Sequence, residues 1–255
     1  MCFDLDSHPP ITPIAGGALD SKRLTLRSAD GSEVAAFRAR AAHPTSAGIV
    51  ILPDARGLHR YYEELALRFA EAGIDALAID YFGRTAGVTP RDDSFEYLPH
   101  LGQTKWAQLA ADIEAAAAEI QRDGRARSLF SIGFCFGGRL AFLSATLPLN
   151  LAGAIGFYGV PVGPARGDIP APIDTVDLVK APILGLFGGA DQAIPASAVK
   201  EFGDALVSAG VEHEFVSYPN APHSFFDRKA AEFKDASEDA WRKVLEFVRR
   251  RTATS

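Results

Sequence analysis

Short apolar runs alternate with segments of helical periodicity along most of the chain, and this alternation limits the possible folds more than any other feature. Residues 48–53 (GIVILP) form a continuous apolar run, and residues 61–72 follow with apolar side chains at helical spacing. A continuous apolar run is typical of a strand that is buried on both faces. Strands that alternate with helices predict βαβ units and a parallel sheet covered on both faces.

The same alternation continues toward the carboxyl terminus. Further strands are predicted at residues 75–79, 129–134, 152–158, 183–187 and 211–218. Further helices are predicted at residues 104–122, 136–147, 196–209 and 240–250. Near the amino terminus, Asp30-Gly31 is a turn dipeptide between residues 24–27 and 34–40, which predicts a β-hairpin. We therefore expect an α/β protein with a mostly parallel central sheet and an N-terminal β-hairpin.

The domain organisation is predicted from linkers and repeats. Residues 1–20 are rich in Pro, Gly and Asp and predict an irregular arm, whereas residues 21–255 contain no repeat and no long polar linker. A chain of 255 residues with 47% hydrophobic residues is long enough for one large core. We expect a single domain at 21–255. Residues 161–179 contain four prolines and predict an irregular loop over the functional site.

Charge, cysteine content and hydropathy exclude several classes of protein. The net charge of −6 disfavours binding to nucleic acid or anionic membranes, which needs clustered positive charge. Two cysteines, Cys2 and Cys135, cannot build a disulfide framework, and nucleotide-binding glycine motifs and zinc motifs are absent from the sequence. No apolar run approaches the ~20 residues of a membrane span, and the acidic amino terminus lacks the apolar core of a secretory signal. We expect a soluble, cytoplasmic monomer or small homo-oligomer without a metal or other cofactor.

Residues 133–137 (GFCFG) form the motif with the most chemical content. The pattern G-x-C-x-G lies between a predicted strand and a predicted helix, a layout typical of a nucleophile elbow, in which the two outer positions must be small. A thiol at a helix amino terminus is favoured as the reactive thiolate. The main-chain N–H of Phe136 would then face an oxyanion on the substrate. The alternative is that Cys135 is a small apolar residue buried between strand and helix.

A candidate acid and a candidate base follow the cysteine along the chain. Asp191 comes after the predicted strand at 183–187, and His223 lies in a loop after the predicted strand at 211–218. The order Cys135, Asp191, His223 is nucleophile, acid, base, which is the chain order of α/β-hydrolases. Two alternatives remain open, because Asp191 could be a turn residue that caps the next helix and His223 a packed loop histidine.

The chain resembles the dienelactone hydrolase family over about residues 20–250. The stretches that carry the resemblance are residues 49–57, 78–84, 131–138, 156–159 and 221–225. The resemblance implies an α/β-hydrolase fold and a Cys-His-Asp triad that hydrolyses a small ester or lactone through a thioester acyl-enzyme. It also implies that the N–H groups of Ala55 and Phe136 hold the oxyanion.

The same resemblance implies a set of substrate contacts. In the family an acidic side chain after the first buried strand, usually Glu, contacts the cysteine, and Asp54 stands at that position here, with helix capping as the alternative. Arg84 matches the first of two arginines that hold a substrate carboxylate. The second arginine lies four residues after the histidine, where this chain has Asp227, followed by Arg228. Tyr158 completes the predicted set.

Two functions are therefore predicted. The first is hydrolysis of a small ester or lactone, with carboxylate-bearing substrates included. The departures from the family pattern at Asp54 and Asp227 leave a second function open, namely a non-catalytic ligand-binding or thiol-sensing protein on the same scaffold.

Overall fold

The computed structural model describes residues 7–92 and 94–253, and within them the chain forms one eight-stranded sheet in the order β1-β2-β4-β3-β5-β6-β7-β8. The strands are β1 (Ala18–Arg27), β2 (Glu33–Ala41), β3 (Ala47–Leu52), β4 (Asp75–Ile79), β5 (Ser128–Phe134), β6 (Gly153–Phe157), β7 (Ile183–Gly188) and β8 (His213–Tyr218). The β1-β2 and β2-β4 pairs are antiparallel, and every other neighbouring pair is parallel. The predicted α/β fold with an N-terminal hairpin is confirmed.

Helices cover both faces of this sheet. They are α1 (Arg60–Glu71), α2 (Gly83–Ala86), α3 (Tyr97–Leu101), α4 (Trp106–Gln121), α5 (Phe136–Ser144), α6 (Ala196–Ser208) and α7 (Lys234–Arg251), with a 3₁₀ helix at Pro172–Leu178. Apolar residues of α1 and α7 pack in one core cluster, and those of α4 pack in the other. The short α2 and α3 were not predicted, because four or five residues are too few to show helical periodicity. None of the helices in the described parts of the chain is long and apolar enough to span a membrane.

The burial of the strands explains why the apolar runs predicted them. Every residue of β3, β4, β5, β6 and β7 is buried, as expected for strands between two helical layers. The edge strand β1 is mostly exposed. The parallel register pairs Leu52 with Gly133, Phe157 with Leu186, and Gly188 with Tyr218. The loops that follow these strands therefore meet at one edge of the sheet.

Two regions outside the sheet are mostly irregular. Residues 7–17 form no helix or strand, and β1 starts at Ala18, within the last part of the predicted arm. Residues 1–6, which include Cys2, lie outside the described residues. Within the predicted loop at 161–179, the 3₁₀ helix at Pro172–Leu178 provides some regular structure. The buried guanidinium of Arg139 fixes the same segment by donating to the carbonyl oxygens of Pro164, Ile169 and Pro170.

Candidate active site

Cys135 lies at a sharp turn between β5 and α5, with φ 55° and ψ −111°. A side-chain carbon added to Gly133 would lie 1.8 Å from the carbonyl oxygen of Gly137. One added to Gly137 would lie 2.0 Å from the carbonyl oxygen of Leu52. Neither position can hold a larger residue, which is the steric requirement of an elbow. A positive φ at a non-glycine residue costs about 1–3 kcal/mol and persists only where the surrounding packing enforces it.

The surroundings of Cys135 leave its side chain partly accessible. Its N–H donates to the carbonyl oxygen of Phe157 at 3.0 Å, and its own carbonyl oxygen accepts the N–H of Arg139 at 3.1 Å. The residue is half-buried, so the alternative of a fully buried apolar cysteine does not describe it. It occupies the N-cap position of α5, directly at the turn between the strand and the helix.

His223 and Asp191 lie in the loops after β8 and β7 and contact each other. Nδ1 of His223 is 2.7 Å from Oδ2 of Asp191. The Asp191 side chain is 1% exposed, whereas the His223 side chain is 27% exposed. A buried carboxylate at Nδ1 holds the proton on that nitrogen and makes Nε2 the basic one.

The alternative prediction for Asp191 was a turn residue that caps the next helix, and the structure shows the turn but not the cap. Oδ1 of Asp191 accepts the N–H of Ala193 at 2.8 Å, so the residue does stabilise a turn. The N-cap of α6 is Pro195, however, and Asp191 does not cap that helix. The same carboxylate therefore holds its own loop with one oxygen and the imidazole with the other.

Tyr158 and Asp227 form a second buried contact beside His223. The Tyr158 hydroxyl donates to Oδ2 of Asp227 at 2.8 Å, and its ring centre lies 4.9 Å from that of His223. The N–H of Arg228 donates to Oδ1 of Asp227. Burial raises the pKa of Asp227 well above its usual value, and the nearby Asp54 raises it further, while these hydrogen bonds and His223 oppose the rise. Asp227 is therefore a buried carboxyl group bonded to Tyr158, close enough to His223 for the two groups to interact electrostatically.

Asp54 is fully buried in the loop after β3. Its Oδ1 accepts the N–H of Arg56 at 2.8 Å, and its own N–H donates to the hydroxyl of Tyr62 at 2.9 Å. The helix that follows starts later, with His59 at its N-cap, so capping by Asp54 was wrong. Asp54 instead shapes the short loop that carries Ala55.

Arg84 lies in α2, where two carboxylates bind its guanidinium group. Nη1 and Nη2 donate to Asp112 at 2.6 and 2.8 Å, and Nε donates to Asp30 at 2.9 Å. These bonds raise the pKa of Arg84. Arg228, the other predicted arginine, is exposed and lines a cavity of about 510 Å³ together with residues of the amino-terminal arm. The structure thus brings neither guanidinium group into contact with the His223–Asp191 pair.

A smaller cavity of about 270 Å³ lies against Phe136, the residue after the candidate nucleophile. Leu98, Leu101 and Ile169 give it apolar walls, and Arg166 carries the one charge among the described residues that line it. Sequence reasoning missed this cavity, because its walls come from α3, α5 and the loop at 161–179. The one related prediction was that residues 161–179 form a loop over the functional site.

The mixed sheet covered by helices on both faces, with a tight strand-to-helix turn at Cys135 and an imidazole–carboxylate pair at the same edge, defines an α/β-hydrolase fold. Residues 35–252 match the Dienelactone hydrolase family, and the chain belongs to that family. It is a carboxylic ester hydrolase. Within residues 7–92 and 94–253, no three His, Cys, Asp or Glu side chains are grouped to hold a metal ion.

Known proteins with similar sequences or structures agree with this family. A protein of Salmonella typhimurium named "Putative carboxymethylenebutenolidase" is 30% identical over 246 residues, covering 94% of this chain and 89% of that one. A Klebsiella pneumoniae crystal structure described as a "Putative Dienelactone Hydrolase" is 29% identical with a TM-score of 0.78, covering 90% of this chain and 98% of that one. A dienelactone hydrolase-like promiscuous phosphotriesterase from metagenomic libraries shares the fold at 20% identity, with a TM-score of 0.74 and coverage of 93% and 100%.

Proposed function

We propose that this hydrolase cleaves small esters or lactones through a Cys135–His223–Asp191 triad and a thioester acyl-enzyme. The observation that carries the proposal is the half-buried Cys135 at a strained turn, on the same sheet edge as an imidazole held by Asp191 at 2.7 Å. A nucleophile at a helix amino terminus and a base with a fixed tautomer are the two components that acyl transfer needs.

The reaction proceeds in two halves. The Cys135 thiolate attacks the carbonyl carbon, and the new C–S bond leaves negative charge on the carbonyl oxygen, which the N–H groups of Phe136 and Ala55 stabilise. The C–O bond then breaks, and protonated His223 gives its proton to the departing alkoxide. Next, His223 takes a proton from water, the hydroxide attacks the thioester, and the acid and the thiolate are released. With a lactone, the alcohol remains attached to the acyl group, so the product is one hydroxy acid.

The cavity against Phe136 favours a small apolar group next to the scissile bond. Its volume of about 270 Å³ suits a short chain or a single ring. If the substrate carries a carboxylate, Arg166 is better placed to meet it than Arg84, whose donors are bound to Asp112 and Asp30. We therefore propose Arg166 as the contact for an anionic substrate, and we assign Arg84 a structural role.

The nucleophile is tested with Cys135→Ala and Cys135→Ser on p-nitrophenyl acetate and on simple lactones. Removal of a nucleophile costs a triad enzyme on the order of 10⁴-fold or more in kcat, so we expect Cys135→Ala to fall by at least that amount. Intact-mass analysis of the wild type after rapid mixing should show a transient acyl adduct on Cys135. Turnover of Cys135→Ala equal to the wild type would reject the triad, and a lasting adduct without product would favour the thiol-sensing function.

The anion contact is tested with Arg166→Gln and the matched variant Arg84→Gln. The two substrates are p-nitrophenyl butyrate and the p-nitrophenyl monoester of glutaric acid, which differ only by the terminal carboxylate. A charge-assisted hydrogen bond contributes about 1.5–3 kcal/mol, so we expect Arg166→Gln to raise KM for the anionic ester about tenfold and to leave the neutral ester unchanged. If Arg84→Gln, and not Arg166→Gln, raises KM for the anionic ester alone, then Arg84 is the residue that contacts the substrate carboxylate.

A further inference from the structure

The loop that carries Ala55 rests on Asp80, the residue directly after β4. One carboxylate oxygen of Asp80 accepts the N–H of Leu58 at 2.9 Å, and the other accepts the N–H of Phe82 at 2.9 Å. Gly57 passes directly over this carboxylate, since a side-chain carbon added to Gly57 would lie 2.3 Å from Oδ1. Asp80 therefore connects the end of the loop to the end of β4.

Arg91 holds the Asp80 carboxylate in place. Its Nη2 and Nε donate to Oδ2 of Asp80 at 2.8 and 3.2 Å, and the two side chains are 3% and 1% exposed. The guanidinium carbon also lies 4.6 Å from the ring centre of Phe95, which stacks on His100 at 5.1 Å. Because His100 belongs to α3, the ion pair joins the Ala55 loop to the helix that lines the cavity beside Phe136.

The start of the same loop is held independently. Oδ1 of Asp54 accepts the N–H of Arg56 at 2.8 Å, and its carbonyl oxygen accepts the N–H of Gly57 at 3.1 Å. Ala55 therefore lies between two anchor points. Asp54 holds the main chain just before and after Ala55, and Asp80 holds it at Leu58.

We propose that Asp80, paired with Arg91, is a positioning residue that directs the Ala55 N–H toward the oxyanion of the substrate. The inference rests on the proposed function, which takes Ala55 as one of the two oxyanion donors. A donor stabilises the transition state only when it lies about 3 Å from the developing negative charge. Movement of the loop would therefore weaken catalysis without changing the thiol or the imidazole. Asp80 itself does not touch the substrate.

The other end of β4 provides a matched control. Asp75 is the first residue of the strand, is buried, and accepts the N–H of Ala41 at 2.8 Å and Nε of Arg125 at 2.9 Å. Asp75 and Asp80 are therefore both buried aspartates bonded to a main-chain N–H and to an arginine. Only Asp80 lies at the sheet edge that carries the candidate site, because the two residues are at opposite ends of one strand.

The experiment compares Asp80→Asn with Asp75→Asn in two assays. Steady-state hydrolysis of p-nitrophenyl acetate depends on the oxyanion donors, whereas alkylation of Cys135 by iodoacetamide depends on the thiolate and forms no oxyanion. Loss of a full oxyanion donor costs about 10²–10³-fold, so a displaced donor should lower kcat of Asp80→Asn about 10–100-fold. We expect its alkylation rate to stay within about twofold of the wild type, and Asp75→Asn to keep both rates within about twofold.

Two results would overturn the proposal. One is an equal kcat in Asp80→Asn and Asp75→Asn. The other is a parallel loss of kcat and alkylation in Asp80→Asn, which would show general damage to the site. If Asp80→Asn does not fold, the kcat of Gly57→Ala provides the test of the proposal. This substitution displaces the loop from the Asp80 carboxylate without removing a charge. A wild-type kcat in Gly57→Ala would then reject the proposal.

Failure of the proposed function has a different signature. In that case Cys135→Ala hydrolyses p-nitrophenyl acetate as fast as the wild type, whatever the result for Asp80→Asn. A Cys135-dependent activity that is insensitive to Asp80→Asn rejects the positioning role alone.

Discussion

Charged side chains are arranged differently in the loops after β7 and β8 than in the region after β4. In the first region one buried carboxylate, Asp191, holds one imidazole, and the His223 side chain remains 27% exposed. In the second region the arginines are enclosed by carboxylates: Arg84 is 13% exposed between Asp112 and Asp30, and Arg91 is 3% exposed on Asp80.

This difference separates the groups that we propose to be catalytic from those that hold segments of the fold together. An imidazole that is backed by a carboxylate and reaches solvent can exchange a proton with a substrate. An arginine whose donors are bound to carboxylates holds two segments together and has less capacity to bind a further anion. Residue type alone does not distinguish the two regions, since both contain aspartates beside a cationic or basic group.

The largest expected effect is in the loops after β7 and β8, which hold Asp191 and His223. Asp191→Asn keeps the size of the side chain but removes the charge that fixes the proton on Nδ1 of His223. Comparable changes in a triad lower kcat by about 10⁴-fold, and we expect a loss of that size with little change in the melting temperature. Steady-state kinetics and thermal unfolding measure the two quantities. A kcat within a factor of about three of the wild type would mean that Asp191 does not orient the base.

The next largest effect is in the region after β4, which holds Arg84. Asp112→Asn leaves Arg84 with Asp30 as its remaining carboxylate partner, next to a neutral amide. Removal of one member of a buried ion pair costs about 3–5 kcal/mol, so we expect a loss of free energy of unfolding near the lower end of that range. Because the pair is structural, kcat should be retained at a temperature where the variant is folded. Urea unfolding tests the first expectation, and a large fall in kcat of the folded variant would contradict the second.

A third prediction compares His223 with a second imidazole, His59, which lies in the loop after β3. Burial lowers its pKa to about 3. The unfolded chain protonates this group near its ordinary value while the folded chain does not, so His59 makes the protein lose stability as the pH falls below about 6.5.

The size of that loss follows from the two pKa values. Between pH 6.5 and pH 4.5, the His59 contribution to the free energy of unfolding falls by about 2 kcal/mol. We expect His59→Gln to remove this part of the acid sensitivity, measured by urea unfolding at both pH values. The exposed His43 is the control, and the same change in His43→Gln would show that the effect does not come from burial.

The smallest expected effect concerns Asp227, whose pKa is raised mainly by burial. A carboxyl group with a raised folded pKa stabilises the protein when protonated and loses that contribution as the pH rises through the folded value. We therefore expect Asp227→Asn to increase the melting temperature at pH 8 by about 2–4 °C and to change it little at pH 4. An equal shift at both pH values would show that the carboxyl charge is not the cause.

Much of the fold could be predicted because its signals are local. Five buried strands correspond to continuous apolar runs, and Asp30-Gly31 lies in the turn between β1 and β2. The spacing of Gly133 and Gly137 around Cys135 predicted the elbow, because the steric requirement acts within five consecutive residues. The extent of α7, which starts at Lys234, was underestimated, since its first turns are mostly polar.

The charged groups could be predicted only where chain order already determined them. Asp191 and His223 follow neighbouring parallel strands, so their meeting at one edge is a consequence of topology. The partners of Arg84 are 28 and 54 residues away in sequence, and no local pattern connects them. The prediction that Arg84 holds a substrate came from resemblance, which transfers a residue but not its neighbours.

The sequence by itself therefore determined the order of the elements, the elbow at Cys135 and the candidate acid and base, since each depends on neighbouring residues or on strand order. The tertiary structure alone decided which arginines are enclosed, that Asp227 binds Tyr158, and that Asp80 supports the Ala55 loop. Such contacts join segments far apart in the chain. Their existence depends on distances of about 3 Å, which only the packed structure specifies.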